Sequence, residues 1–201
     1  SGQGTRLMPL TANTPKPMVP VNGKPFFEYV VELLRDNGIE EILFLLGYLP
    51  EQIVDYFGDG KKFGVKIRYH YGGDTYGKED EQSGFRMRKA RELINDEFMV
   101  VYNDNYWPLQ LDKLLAFHRE KNLLGTTVVY ANKDNYSKNN ILVNKDGVAE
   151  VYDRSRTAPG LNGIEIGFSL MQKQVLDLMP NTAPEENISF VERLTSGGKR
   201  V

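Results

Sequence analysis

The opening residues, Ser1-Gly2-Gln3-Gly4-Thr5-Arg6-Leu7, place two glycines, a hydroxyl and an arginine in one short stretch. A backbone that closely approaches a phosphate needs residues without a Cβ, and Gly2 and Gly4 meet that need. Successive N–H groups in such a loop form an anion-binding concavity. Arg6 adds a planar guanidinium suited to phosphate oxygens. Further on, Lys16 stands between Pro15 and Pro17, which stiffen the backbone on both sides of a point charge. Taken singly, each part also fits a flexible glycine-rich stretch or a solvent-facing loop. Together, at this spacing, they point to phosphate handling.

A second candidate is Val100-Val101-Tyr102-Asn103-Asp104-Asn105. It puts Asp104 at the C-terminal end of a strand that reads as buried, which is where α/β sheets place their ligands. A strand-end Asx turn is the structural alternative. Mg²⁺ prefers one or two carboxylates together with phosphate oxygens and water, and Asp104 beside a phosphate loop fits that habit. Asp112 reads as a helix N-cap rather than a ligand. Tyr106 and Trp107 have the faces to cover a sugar or a base, although a packed aromatic pair is the commoner arrangement.

These residues need a scaffold, and the chain alternates helix-like and strand-like segments. Helical patterns run over Pro25–Asn37, Pro50–Phe57, Phe85–Ile94, Leu111–Glu120 and Lys173–Leu178. Strand patterns run over Glu41–Leu46, Val65–Tyr71, Phe98–Tyr102, Thr126–Tyr130 and Ile164–Met171. Ile141–Val143 and Val148–Val151 flank Asp146-Gly147, a hairpin signal. The alternation predicts parallel strands with crossover helices plus a small antiparallel insertion. Tyr71–Gly84, rich in glycine and acid, reads as a long loop, and long loops in compact domains are often functional.

The 201 residues suit a single domain, 1–201, with a sizeable core. Both ends of that domain read as cut, with a first strand and a C-terminal segment expected beyond the printed residues. Lys plus Arg number 25 and Asp plus Glu 27, a balance that indicates neither a nucleic-acid nor a membrane surface. With no cysteine there is neither a disulfide nor a Cys-based zinc site, and His70 and His118 are too few for a His-rich metal site. The longest apolar run, Ile42–Leu46, is far too short to span a bilayer. A cytoplasmic protein is the expectation.

The stretch Gly2–Tyr29, GQGTRLMPLTANTPKPMVPVNGKPFFEY, closely resembles the signature of the sugar nucleotidyltransferase family. That family includes the glucose-1-phosphate thymidylyl-, mannose-1-phosphate guanylyl- and heptose-1-phosphate guanylyltransferases. The resemblance continues through Gly47-Tyr48-Leu49, Tyr56–Tyr71 and Tyr102–Leu115. It implies a Rossmann-like α/β/α sandwich with a mostly parallel sheet. It also implies that Gly2, Gly4 and Thr5 bind the nucleotide, that Arg6 and Lys16 are catalytic, and that Asp104 is catalytic and holds Mg²⁺. Two departures stand out: Ser1 where the family has a glycine, and Asn103 where it reads Gly-Asp. The family's second metal aspartate has no match in the chain.

The resemblance also places Glu79-Asp80-Glu81-Gln82-Ser83-Gly84 at the base-reading segment that ends in Gly84. A carboxylate at Glu79 accepts from guanine N1–H and N2–H together; a solvated acidic loop is the alternative. Arg154 matches a basic residue that contacts the sugar phosphate, and Glu165, with Asn162 nearby, matches a sugar-contacting segment. Arg156–Gly167, RTAPGLNGIEIG, and NDNYWP at Asn103–Pro108 look most like the heptose-1-phosphate guanylyltransferase branch. Some members of that branch are fused to a phosphatase domain. The implied partners are an NTP and a sugar 1-phosphate, with room for a homo-oligomer and for fusion or pairing with a sugar-phosphate phosphatase.

The implied reaction transfers a nucleoside monophosphate, GTP favoured, to a heptose or mannose 1-phosphate and releases pyrophosphate. A thymidylyl- or uridylyltransferase acting on glucose 1-phosphate is the alternative within the class. A non-catalytic nucleotide-sugar-binding regulatory subunit is the alternative from another class. A dinucleotide-binding oxidoreductase fits poorly, because the third glycine of its fingerprint falls on Leu7.

Overall fold

The computed structural model describes residues 7–71, 83–179, 191 and 194–195. The chain divides into two compact units, Ser1–Leu93 with Asn103–Gln110, and Ile94–Tyr102 with Leu111–Val201.

The first unit opens with a 3₁₀ turn at Lys16–Met18 and a short antiparallel hairpin, β1 (Pro20–Val21) with β2 (Lys24–Pro25). Asn22 and Gly23 join the two with φ of 49° and 86°, the paired positive values that a type I′ turn needs. Helix α1 (Phe26–Asp36) buries Phe27, Val30, Val31 and Leu34, one face at helical spacing. It ends in a Schellman arrangement. Gly38, at φ 82°, donates to Arg35 O, and Ile39 N donates to Leu34 O.

Strand β3 (Glu41–Leu46) lies parallel to β4 (Lys66–Tyr71), with Glu41 opposite Lys66 and Leu46 opposite Tyr71. Helix α2 (Pro50–Phe57) belongs to the crossover between them, with proline in its first turn where no N–H is required. The rings of Phe27, Phe44 and Phe57 meet at centroid distances of 4.6, 5.3 and 5.4 Å, and so tie α1, β3 and α2 into one core. Helix α3 (Ser83–Lys89) stops short of the expected Ile94. The chain tightens there into a 3₁₀ turn at Arg91–Leu93.

The second unit is built on β9 (Ile164–Gln172). It pairs antiparallel with β5 (Glu97–Val101) on one side and β6 (Gly125–Tyr130) on the other. Six of its residues, Glu165 and the run Gly167–Met171, are buried, so β9 shows no polar alternation over Gly167–Met171. Helix α4 (Leu111–Lys121) packs on β6 and β9 and buries Leu111 and His118. Asp112 lies inside its first turn rather than at the N-cap. Strands β7 (Ile141–Val143) and β8 (Ala149–Tyr152) form the expected hairpin, and Asn144 Oδ1 accepts from Asp146 N and Val148 N across the turn. The antiparallel part is larger than the hairpin signal conveys, because β9 returns between β5 and β6 after the insertion. Lys173–Leu178 is a 3₁₀ turn rather than an α-helix, with Val175 and Leu176 buried. Among the described residues, no helix is long and apolar enough to cross a membrane.

Candidate active site

The Pro15-Lys16-Pro17 pattern folds as its chemistry suggests. Pro15, Pro17 and Met18 are buried, and they pin the 3₁₀ turn from which the Lys16 side chain emerges. Lys16 Nζ lies 2.6 Å from Asp104 Oδ2, each side chain 37% exposed. Asp104 follows β5 by a few residues and belongs with the first unit. Strand β5 is half-buried along its length rather than fully buried.

The loop before Lys16 is held from α2 and the turn leading into it. Tyr48 Oη donates to Ala12 O at 2.9 Å, and Gln52 Nε2 donates to Asn13 O at 2.8 Å. Thr11 is 2% exposed, whereas Leu7, Met8 and Leu10 face outward. Leu49 adopts a left-handed φ of 46° at the start of α2. A branched residue there costs on the order of 1 kcal/mol. The expected contributors Gly2, Gly4, Thr5, Arg6 and Glu79 lie outside the described residues, as does most of the long loop. Gly84 is buried in the first turn of α3 rather than ending a loop. Tyr106 and Trp107 are exposed, 53% and 36%.

Arg86 escaped the sequence reading. It is 5% exposed on α3 and donates from Nη1 to Leu46 O at 3.0 Å, at the C-terminal end of β3. A Cβ on Gly47 would stand 2.6 Å from that Nη1, so any larger residue at position 47 would have to displace the guanidinium. The signal was a lone arginine on the buried face of a short helix, which sequence periodicity does not separate from a solvated one.

In the second unit, Glu165 is 7% exposed on β9. Its Oε1 accepts from Gly167 N at 2.6 Å and Thr127 Oγ1 at 3.1 Å. Burial raises the carboxyl above its ordinary range, and these two donors offset part of that rise. Oε2 has no hydrogen-bond partner in the described chain, so one oxygen is held and the other is open to a hydroxyl donor. Asn140 supports the same strand, its Oδ1 accepting from Glu165 N at 2.8 Å. Thr127 and Asn140 were not expected; neither carries a sequence pattern that marks it.

Asn162 departs from its expected role. Its Oδ1 accepts from Val143 N and its Nδ2 donates to Val143 O, so the side-chain amide extends the β7 ladder and is already occupied. Next to it, Gly163 is required by space, since a Cβ there would meet Val129 Cγ1 at 2.5 Å. Arg154 is exposed in the turn after β8, and no hydrogen bond or ion pair engages it among the described residues. Arg156, two positions on, donates to Ser137 Oγ and Lys138 O. The two neighbouring arginines thus differ: one braces a loop and the other is presented to solvent.

Among the described residues, no cluster of three His, Asp or Glu side chains could hold a metal. Mg²⁺ that arrives with substrate phosphates needs only one or two protein carboxylates, and Asp104 offers one, with Lys16 Nζ, now paired to its Oδ2, being the cation such an ion would displace.

Comparison with known proteins gives these features a family. Residues 1–150 match the nucleotidyl transferase family. The chain is 31% identical over 193 residues to the UTP–glucose-1-phosphate uridylyltransferase of Synechocystis, covering 90% of this chain and 50% of that protein. It is 30% identical over 200 residues to the D-glycero-alpha-D-manno-heptose 1-phosphate guanylyltransferase of Campylobacter jejuni, covering 100% of this chain and 84% of that protein. The chain thus spans about half the length of the first of these relatives and most of the second. The inositol-1-phosphate CTP transferase of T. maritima superposes with a TM-score of 0.81 at 18% identity, over 100% of this chain and 80% of the other, a likeness of Rossmann-like α/β fold. The chain therefore belongs to the nucleotidyl transferase family, among the sugar-1-phosphate nucleotidyltransferases.

Proposed function

We propose that this chain transfers a nucleoside monophosphate from an NTP to a sugar 1-phosphate and releases pyrophosphate. The observation that carries the reading is the Lys16–Asp104 pair. It brings together at 2.6 Å a cation and a carboxylate that stand 88 residues apart. A phosphate oxygen of the sugar 1-phosphate attacks the α-phosphorus in line; the new P–O bond forms as the bond to the β-phosphate oxygen breaks, and the electron pair leaves on pyrophosphate. No general base is needed, because a phosphate monoester, with a second pKa of about 6, is mostly ionised near neutrality.

The residues then position substrates and neutralise charge. Lys16 and Arg6 balance the charge that grows on pyrophosphate, with Gly2, Gly4 and Thr5 cradling the triphosphate. Arg154 holds the attacking phosphate, and Glu165 Oε2 accepts from a sugar hydroxyl. Asp104 would hold Mg²⁺, which when bound supplies further neutralisation of the phosphates.

GTP with a heptose or mannose 1-phosphate is the favoured pair. The likeness around Asn103–Pro108 and Arg156–Gly167, the carboxylate Glu79 and the Campylobacter relative support it. The Synechocystis relative supports the second reading, UTP with glucose 1-phosphate. The reaction belongs in the cytoplasm, where nucleoside triphosphates are made, and a sugar-phosphate phosphatase is a fitting partner.

A pyrophosphate-release screen tests all of this, pairing GTP, UTP, dTTP and CTP with heptose, mannose and glucose 1-phosphates. GTP should exceed UTP and dTTP by roughly tenfold to a hundredfold in kcat/KM, the scale of a bidentate carboxylate–guanine contact. Glu79→Gln should erode that margin. Nucleotide-sugar binding without turnover on any pair would favour a regulatory subunit instead.

A further inference from the structure

Asp153, at the end of β8, holds its own loop together. Oδ1 accepts from Ser155 N at 2.8 Å and Ser155 Oγ at 2.5 Å. Oδ2 accepts from Thr157 N at 2.7 Å, Ala158 N at 2.7 Å and Thr157 Oγ1 at 3.3 Å. These donors hold the Asp153 carboxyl far below the usual carboxylate range. The backbone joins in: Asp153 N donates to Asn140 O, and Arg156 N donates to Asp153 O. Arg156, at φ 61°, then reaches across to Ser137 Oγ and Lys138 O, at 2.8 and 2.7 Å. Among the described residues, every polar side chain of this turn is engaged except one, the guanidinium of Arg154.

We infer that Asp153 is a positioning residue, which fixes the 153–158 turn so that Arg154 is presented in one geometry to the phosphate of the sugar 1-phosphate. This rests on the assignment of Arg154 to that phosphate. The chemistry favours positioning over direct contact. Both carboxylate oxygens already face backbone N–H groups, so Asp153 has little capacity left for a substrate hydroxyl. Presentation of a long side chain from a rigid turn reduces the ordering cost of gripping a ligand. A carboxylate is required for this, not merely an acceptor. Asparagine would turn an NH₂ toward backbone donors in either orientation, because both edges of the group receive an N–H.

Calorimetric titration with glucose 1-phosphate and with mannose 1-phosphate tests the inference, and GTP and UTP serve as controls. The proteins are wild type, Arg154→Ala, Asp153→Asn and the double variant. Asp153→Asn should raise Kd for the tighter-binding sugar phosphate about tenfold, the scale of a lost charge-assisted contact, and leave the nucleotide Kd within about twofold. In the Arg154→Ala background it should add nothing further, since the residue it positions is gone. If Asp153→Asn does not fold, as judged by circular dichroism, Ser155→Ala and Thr157→Val each remove one hydroxyl donor. They should weaken sugar-phosphate binding by about two- to fivefold in the same selective way.

Full additivity in the double variant, or equal weakening of nucleotide and sugar phosphate, would overturn the positioning role. So would unchanged sugar-phosphate binding in Asp153→Asn, or in both hydroxyl variants, while Arg154→Ala binds weakly. If Arg154→Ala binds sugar phosphate as wild type does, or wild type binds neither probe, the Arg154 assignment itself fails and takes the inference with it.

Discussion

Lys16→Ala removes the ammonium that lies 2.6 Å from Asp104 Oδ2. With both side chains 37% exposed, the pair should contribute about 0.2–1 kcal/mol to folding, the range of exposed ion pairs. In a domain of this size 1 kcal/mol moves the melting temperature by about 2–4 °C. The 3₁₀ turn itself is pinned by buried Pro15, Pro17 and Met18, which the substitution leaves in place. The melting temperature should therefore fall by no more than about 4 °C. Catalysis is a separate matter. A preorganised cation facing charge that develops in the transition state costs about a hundred- to a thousandfold in rate when removed. The assay is continuous pyrophosphate release, with scanning calorimetry on the same preparation. Lys16→Arg should recover part of the activity by restoring the charge, though not the compact geometry of an ammonium. Turnover of Lys16→Ala within about threefold of wild type would refute the catalytic role. A melting temperature lowered by more than about 8 °C would refute the claim that the pair is structurally minor.

Asp104→Asn should abolish turnover and weaken Mn²⁺ binding followed by paramagnetic relaxation, with the far-UV circular dichroism unchanged; undiminished Mn²⁺ binding would release Asp104 from the metal. Glu165→Gln keeps an acceptor for Gly167 N and Thr127 while removing a buried charge, so thermal stability should hold or rise by about 1–3 °C and KM for the sugar 1-phosphate should rise. A fall in stability would show that the charge itself is needed. His118, 1% exposed, sits between Thr126 Oγ1 and Gln172 Nε2, and its pKa is lowered mainly by burial. Gln172 donates to Nε2, so Nδ1 carries the proton. The unfolded chain then binds a proton more readily than the folded one, and stability should decline as pH falls below about 6.5. Melting curves between pH 7.5 and 5.5 should show that decline, and His118→Phe should flatten it; an unchanged slope would remove His118 as the cause. Gly163→Ala should cost about 1–3 kcal/mol by urea denaturation, because its Cβ would stand 2.5 Å from Val129 Cγ1.

Local features were legible wherever local chemistry decides them. Glu41–Leu46 and Pro50–Phe57 were bounded correctly by apolar runs and a first-turn proline. The hairpin at Asp146-Gly147 followed from its turn residues. Asn22-Gly23 carries a similar turn signal, but its strands are too short to show the alternation that marks a hairpin. Periodicity predicts one helix over Phe85–Ile94, but it breaks after Lys89; apolar periodicity persists through a 3₁₀ turn and does not report the change of pitch.

The sequence by itself determined the family resemblance, the Pro-Lys-Pro turn and the candidacy of Asp104, since each depends on residue type at short spacing. Only the tertiary structure decided which side chains are at liberty to act. It brought Lys16 to Asp104 across 88 residues and placed Arg86 under Gly47. It gave Glu165 one held and one open oxygen, and it engaged the amide of Asn162 in the β7 ladder. Arg154 and Arg156 look alike in the sequence, yet among the described residues only Arg156 finds acceptors, on a loop 18 and 19 residues earlier in the chain. The physical reason is common to all of these: a polar group's role depends on whether folding supplies it a partner, and that partner is set by non-local packing.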